Sequence, residues 1–176
     1  AAIQVAKHYG MPIYLLDLSG FSFLLKSALL DGPIPEGHYE AESMRRTIVP
    51  CRNLIFASIL AGIAESNEAE EVWLGVHSGD HFIYPDCRPE FLCPLHKAIQ
   101  AATEGRVILR SPFVHRNKIS IFREGLDLGV PYSLTWTCYK GGAISCGKCG
   151  SCQERLISFA SLGERDPLEY ETREIL

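Results

Sequence analysis

Val72-Trp73-Leu74-Gly75-Val76 is a short apolar run between two polar stretches, the pattern of a strand buried on both faces. On its N-terminal side Asn53 offers a cap to a helix running to about Ser66, with Leu54, Ala57, Ile59 and Leu60 on the buried side. On its C-terminal side a polar loop from His77 to Asp86 leads into a helical stretch, Phe91–Ala102. Arg106–Leu109 is then a short strand ending at Pro112, and Asn117–Leu128 a helix with Gly129 at its C′ position. Strand alternating with helix through short connections predicts an α/β fold with a parallel sheet covered on both faces. Ligands of such sheets bind beyond the carboxyl ends of the strands, so the expected site is His77–Arg88 with Pro112–Lys118.

Outward from this block the pattern thins. Ala1–Gly10 reads as a helix, Ile13–Leu16 as a buried strand and Phe21–Leu30 as a second helix. Asp31–Thr47 is rich in Pro, Gly and charge and predicts a long surface loop. At the other end Pro131–Trp136 leads into a cysteine-rich stretch, and Cys152–Ser161 is a final amphipathic helix. With 47% apolar and 22% charged residues in 176, the chain can bury one core and is not disordered. No apolar run reaches the ~18–20 residues of a membrane span. A net charge of −4 argues against a broad surface for nucleic-acid phosphates.

Seven cysteines, an odd number without a secretory signal, point to a reducing, cytoplasmic setting rather than a disulfide framework. Four of them, Cys138, Cys146, Cys149 and Cys152, lie close enough in sequence to converge on one centre. Two CxxC steps share Cys149, and glycines between them let backbone amides turn toward the sulfurs. Tetrahedral Zn²⁺ with a closed shell suits that donor set; an iron–sulfur cluster or a redox-active pair are the rivals. Gly142–Cys149 nearly spells a phosphate-binding loop, but Cys149 stands where Ser or Thr would hold Mg²⁺.

Lys118, in the first turn of its helix, opposes the helix dipole unless an anion sits beside it, and Arg52 at another helix start raises the same question. Each is a phosphate-side cation or a solvated side chain. His77–Arg88 packs two His, two Asp, a Tyr and an Arg behind the buried strand, a set able to recognise a polar heterocycle. Asp86 would otherwise cap the helix that follows, leaving Arg88 solvated. Cys87 has no base at a fixed spacing and reads as a bystander.

Val49-Pro50-Cys51-Arg52-Asn53, Tyr84-Pro85-Asp86-Cys87-Arg88, Thr137–Gly142 and the CGxCxxC run ending at Cys152 together resemble the 7-cyano-7-deazaguanine synthase family, within the N-type ATP pyrophosphatases. The likeness covers nearly the whole chain in the same order. It implies a Rossmann-like α/β sandwich with a C-terminal zinc loop and helix: residues 1–136 as the ATP pyrophosphatase domain and 137–176 as a zinc-binding segment packed on it. It also implies ATP-dependent conversion of 7-carboxy-7-deazaguanine and ammonia to the nitrile preQ0, with ATP and Mg²⁺ as co-substrate and one structural Zn²⁺ on the four cysteines. A homodimer without nucleic acid or membrane partner is the expected assembly. Arg52 and Lys118 become the expected catalytic cations, and Asp80, Tyr84, Asp86 and Arg88 the expected substrate pocket.

Two departures stand out. The family's SGGxDS phosphate loop does not occur in this sequence, so the chain is expected to start after it, with Arg52 and Lys118 left as phosphate-side residues. Cys51 occupies a position where Gly or Asn is common in the family. Two other readings compete: an N-type pyrophosphatase amidating a different carboxyl substrate, and a non-catalytic zinc module.

Overall fold

The computed structural model describes all 176 residues. They form two compact units, one of Pro50–Lys118 and one of Ala1–Val49 with Ile119–Leu176.

The first unit is a βαβ assembly. Strand β1 (Glu71–Trp73) pairs in parallel with β2 (Ile108–Arg110), Val72 opposite Leu109. The α/β expectation with a parallel sheet is borne out, although both strands are shorter than their apolar runs. Leu74 and Val76 remain buried beyond the end of β1, where the chain turns into the polar loop. Helix α3 (Arg52–Ser66) packs on β1, and helix α4 (Pro89–Ala102) joins the strands and packs on β2. Pro89 opens α4 at a position whose amide needs no partner, and Leu92, Leu95 and Ile99 form its buried stripe.

Helix α3 forms where expected but is rotated. Its inward line is Asn53, Ala57, Ala61 and Ala64, while Leu54 and Leu60 are 39% and 40% exposed. Small side chains at this i, i+4, i+8, i+11 line let the helix lie close to the sheet; the large ones face outward. Its start also differs: Cys51, not Asn53, is the N-cap residue, with a left-handed φ of 55°. That region is tolerated best by Gly and Asn, so a Cys side chain here carries a modest conformational cost. The Glu42–Ser66 stretch is apolar on average, but Pro50 and the left-handed Cys51 interrupt it. Alone, the 15 residues of α3 span ~22 Å, short of the ~30 Å of a hydrocarbon core.

The second unit begins with α1 (Ala2–His8) and the single turn α2 (Ser19–Ser22). Two expectations fail here. Ile13–Leu16 is not a strand: no neighbouring backbone supplies a ladder, and Tyr14 is 91% exposed. Phe21–Leu30 is not a helix beyond that first turn. The 31–47 segment is mostly loop but closes in a 3₁₀ turn, Glu42–Thr47, that buries Met44 and Thr47. Helix α5 (Lys118–Asp127) ends at Gly129 with φ +69°, as the sequence predicts. Helix α6 (Gly150–Ser161) buries Phe159 against Phe122 and Tyr132, ring centroids 5.1 and 5.2 Å away. Gly125 is required there, because a Cβ would sit 2.1 Å from the Tyr132 hydroxyl.

Candidate functional site

The carboxyl end of β1 feeds a chain of short turns, Ser78–Phe82 and Pro85–Cys87, that carries most of the expected pocket. His77 and Asp80 cap the first turn reciprocally. Gly79 N donates to His77 Nδ1 at 3.1 Å, and His77 N donates to Asp80 Oδ2 at 3.3 Å. The Asp80 carbonyl then accepts from Tyr84 N at 2.8 Å. Tyr84 is buried, and its ring faces the Arg52 guanidinium 6.0 Å from the centroid.

Asp86 does not cap the helix that follows it. Its Oδ2 accepts from Asn53 N at 2.9 Å, in the first turn of α3, and its carbonyl accepts from Asn53 Nδ2 at 3.0 Å. The same Asn53 amide nitrogen lies 3.2 Å from Cys87 Sγ. Burial and then the nearby Asp80 and Asp86 charges push the Cys87 thiol up to about 12, so it stays protonated near neutrality. Arg88 Nε donates to the His81 carbonyl at 2.7 Å, which fixes the guanidinium beside the loop. Arg52, Asp80, Tyr84, Asp86 and Arg88 are thus drawn together by the 77–88 loop and the start of α3. Lys118 opens α5 two residues after Arg116, whose carbonyl accepts from Ser78 N at 2.9 Å; this ties the 112–118 segment to the same loop.

His77 and Cys87 lie in the expected loop but, like Asn53, were not singled out as contact residues, yet they hold the others in place. Asn53 follows Arg52 in the recognised block and Cys87 lies inside YPDCR, so adjacency was the available signal. His77 had only its position at the strand end.

In the other unit the Sγ atoms of Cys138, Cys146, Cys149 and Cys152 all lie within 4.8 Å of one another, and all four residues are buried and free of disulfides. Four thiolates at ~2.3 Å from a tetrahedral metal ion lie ~3.8 Å apart, so the cluster can accept one with small adjustments. Cys146 N and Cys149 N point at Cys138 Sγ and Cys146 Sγ, each at 3.4 Å, the amide–sulfur contacts the glycine spacing predicts. A hydrogen bond from the Cys152 thiol lowers the Cys149 pKa and so favours the thiolate form that a metal ligand needs. Gly147 and Gly150 permit the enclosure: a Cβ would lie 1.8 Å from the Thr172 carbonyl oxygen in one case and 2.8 Å from Met44 Sδ in the other. An isolated antiparallel bridge joins Glu36 to Cys149, and Lys140 Nζ donates to Glu36 Oε1 at 2.6 Å.

Two open clefts lie elsewhere. One of ≈470 Å³ beside Ser133–Trp136 and Gly142 has no charged side chain in its wall, which suits neither a carboxylate nor a phosphate. The other, ≈440 Å³ between Glu68, Glu70 and Arg106, lies at the amino ends of the strands, away from the ligand end of a parallel sheet.

A parallel βαβ unit with a polar loop at its strand ends, and a buried four-cysteine cluster able to hold a metal ion, define the class: an α/β protein with a C-terminal cysteine cluster. The sequence pattern of the family described as queuosine biosynthesis protein QueC matches residues 1–163, and the chain belongs to that family. It is 46% identical over 172 residues to the 7-cyano-7-deazaguanine synthase of Pseudoalteromonas translucida (strain TAC 125), covering 97% of this chain and 79% of that one. The enzyme of the same name from Pseudoalteromonas atlantica (strain T6c) is 48% identical over 164 residues, 92% of this chain and 75% of the relative. That of Caldicellulosiruptor bescii is 46% identical over 163 residues, 92% and 74% of the two chains.

Proposed function

We propose that the protein is a 7-cyano-7-deazaguanine synthase, an ATP-dependent ligase that converts 7-carboxy-7-deazaguanine and ammonia to preQ0. The carboxylate attacks the α-phosphorus of ATP and expels pyrophosphate. Ammonia displaces AMP from the acyl adenylate to give the amide. The amide oxygen then attacks the α-phosphorus of a second ATP and expels pyrophosphate, and loss of AMP with two N–H protons leaves the nitrile.

The observation that supports this reading is the convergence of two of the four family blocks, Val49–Asn53 and Tyr84–Arg88, through the contacts of Asp86 with Asn53. Arg52 and Lys118 would meet the phosphates of ATP–Mg²⁺ and offset the charge that grows on the leaving pyrophosphate. Asp80 and Arg88 would supply the polar contacts to the heterocycle, the carboxylate for ring N–H groups and the guanidinium for the acid. Tyr84 and Asp86 would form the wall and hold Arg52 in place. Cys138, Cys146, Cys149 and Cys152 would bind one Zn²⁺, which supplies a closed structural cross-link with no position for water. On this reading residues 1–136 serve nucleotide and substrate, and 137–176 form the zinc segment. We place the enzyme in the cytoplasm as a homodimer acting on small molecules, with neither nucleic acid nor membrane as partner.

Incubation of the full-length protein with 7-carboxy-7-deazaguanine, ammonium and ATP, followed by mass spectrometry of the heterocycle, tests the reading. The nitrile should appear only when all three are present. Recovery of unchanged acid alone contradicts it.

A further inference from the structure

His77 belongs to none of the roles above, yet its ring is buried in the turn that carries Asp80 of the expected pocket. Its ring geometry is determined by its neighbours. Nδ1 accepts a hydrogen bond from Gly79 N at 3.1 Å, so Nδ1 carries no proton and the neutral ring must carry it on Nε2. Nε2 lies 3.6 Å from Asp80 Oδ2, the same oxygen that accepts the His77 main-chain N–H at 3.3 Å. The backbone N–H of His77 thus hydrogen-bonds this oxygen, and its ring packs beside the same oxygen at a distance longer than a hydrogen bond. The Asp80 main chain is held as well: its N–H donates to the His77 carbonyl at 3.1 Å, and its carbonyl accepts from Tyr84 N at 2.8 Å.

A base with Nδ1 already engaged is poorly placed to take a proton from substrate, so acid–base chemistry is not what this ring offers. Its shape suits a different task. We infer that His77 is a positioning residue, which clasps Asp80 Oδ2 and thereby orients the carboxylate toward the N–H groups of a guanine-like heterocycle. The inference rests on the proposed function, in which Asp80 contacts that heterocycle. It assigns the specificity of the loop for an N–H-rich ring to a His–Asp pair rather than to Asp80 alone. Pre-orientation of this kind raises affinity by sparing the carboxylate a rotamer search at the moment of binding.

Two substitutions separate this task from the stability of the turn. His77→Asn keeps an acceptor near the Nδ1 position for Gly79 N but removes the Nε2–H. His77→Gln does the reverse, reaching Asp80 while leaving Gly79 N without its partner. Titration calorimetry with 7-carboxy-7-deazaguanine, and the thermal midpoint, are read for wild type and both variants. Wild type should bind. His77→Asn should bind about 10-fold more weakly with a midpoint close to wild type, because the carboxylate loses its ring contact and must be ordered on binding. His77→Gln should bind within about 3-fold of wild type despite a lower midpoint, because the contact with the charged group is kept. Wild-type affinity in His77→Asn, or affinity losses in both variants that simply follow their midpoints, would overturn the inference while leaving the proposed function intact. If wild type does not bind the acid, the functional reading itself fails, and the inference with it.

Discussion

Asp86 Oδ2 accepts the amide proton of Asn53 at 2.9 Å, joining residues 33 positions apart at the N-terminus of α3. A carboxylate placed there complements the positive end of the helix dipole and satisfies an amide that the helix cannot. It also decides what else can bind. With Asp86 occupying the first turn, an incoming phosphate would rely on the Arg52 guanidinium rather than on the free amides of α3.

Replacing Asp86 by Ala removes that cap and leaves Asn53 N without its partner. The expected loss is ~1–2 kcal/mol of stability, by analogy with lost N-caps. Asp86→Asn keeps an acceptor oxygen and should lose less. Urea unfolding of both variants checks the order; an alanine variant as stable as wild type would show that the contact contributes nothing.

Lys118→Met should reduce kcat more than it raises KM for 7-carboxy-7-deazaguanine, because the charge it meets grows mainly in the transition state. Steady-state kinetics with the acid varied at saturating ATP provide the comparison. A variant with unaltered kcat would remove Lys118 from the mechanism.

The four-cysteine centre should carry one tightly held zinc per chain, and Cys149→Ser should lower both zinc content and thermal midpoint, because a three-thiolate site holds the ion less well. Elemental analysis decides the first point and calorimetry the second. Iron with a visible absorption band, or a folded protein free of metal, would contradict the assignment.

Arg155 and Asp166 make a buried pair in the same unit, with Arg155 Nε donating to Asp166 Oδ2 at 2.6 Å and Tyr170 donating to the same oxygen at 2.6 Å. Burial alone would push the Asp166 carboxyl up, but hydrogen bonds from Arg155, Tyr170 and the Leu168 amide outweigh it and hold it below the usual carboxylate range. A depressed folded pKa stabilises the protein above the unfolded value of ~3.9 and loses that contribution as pH falls through the folded one. Unfolding of wild type should therefore become easier below about pH 4. Asp166→Asn strands a buried guanidinium and should cost ~3–5 kcal/mol near neutrality. Acid titrations followed by circular dichroism measure both; a stability curve flat from pH 6 to about pH 3 would refute the role of Asp166.

The β1–α4–β2 core was legible because its signals are local: an apolar run, a polar loop, a helical stretch and a second short strand in sequence. The four cysteines were legible because their spacing alone confines them to one centre. What escaped depends on partners distant in sequence. The face of α3 is chosen by Ala57, Ala61 and Ala64, which admit close packing, and helical periodicity of the larger residues points the other way. Ile13–Leu16 has the composition of a strand, but composition cannot supply the neighbouring backbone a strand requires. Asp86 looked equally suited to ligand or cap, and only the fold shows that the helix it caps is α3 rather than α4.

The fate of ATP's phosphorus atoms tests the central claim most directly. With the protein, 7-carboxy-7-deazaguanine, ammonium and ATP, phosphorus NMR should show AMP and pyrophosphate accumulating in step with the nitrile. Two activations require two of each per nitrile formed. Stoichiometric ADP and inorganic phosphate would place cleavage between the β and γ phosphorus atoms and contradict the assignment.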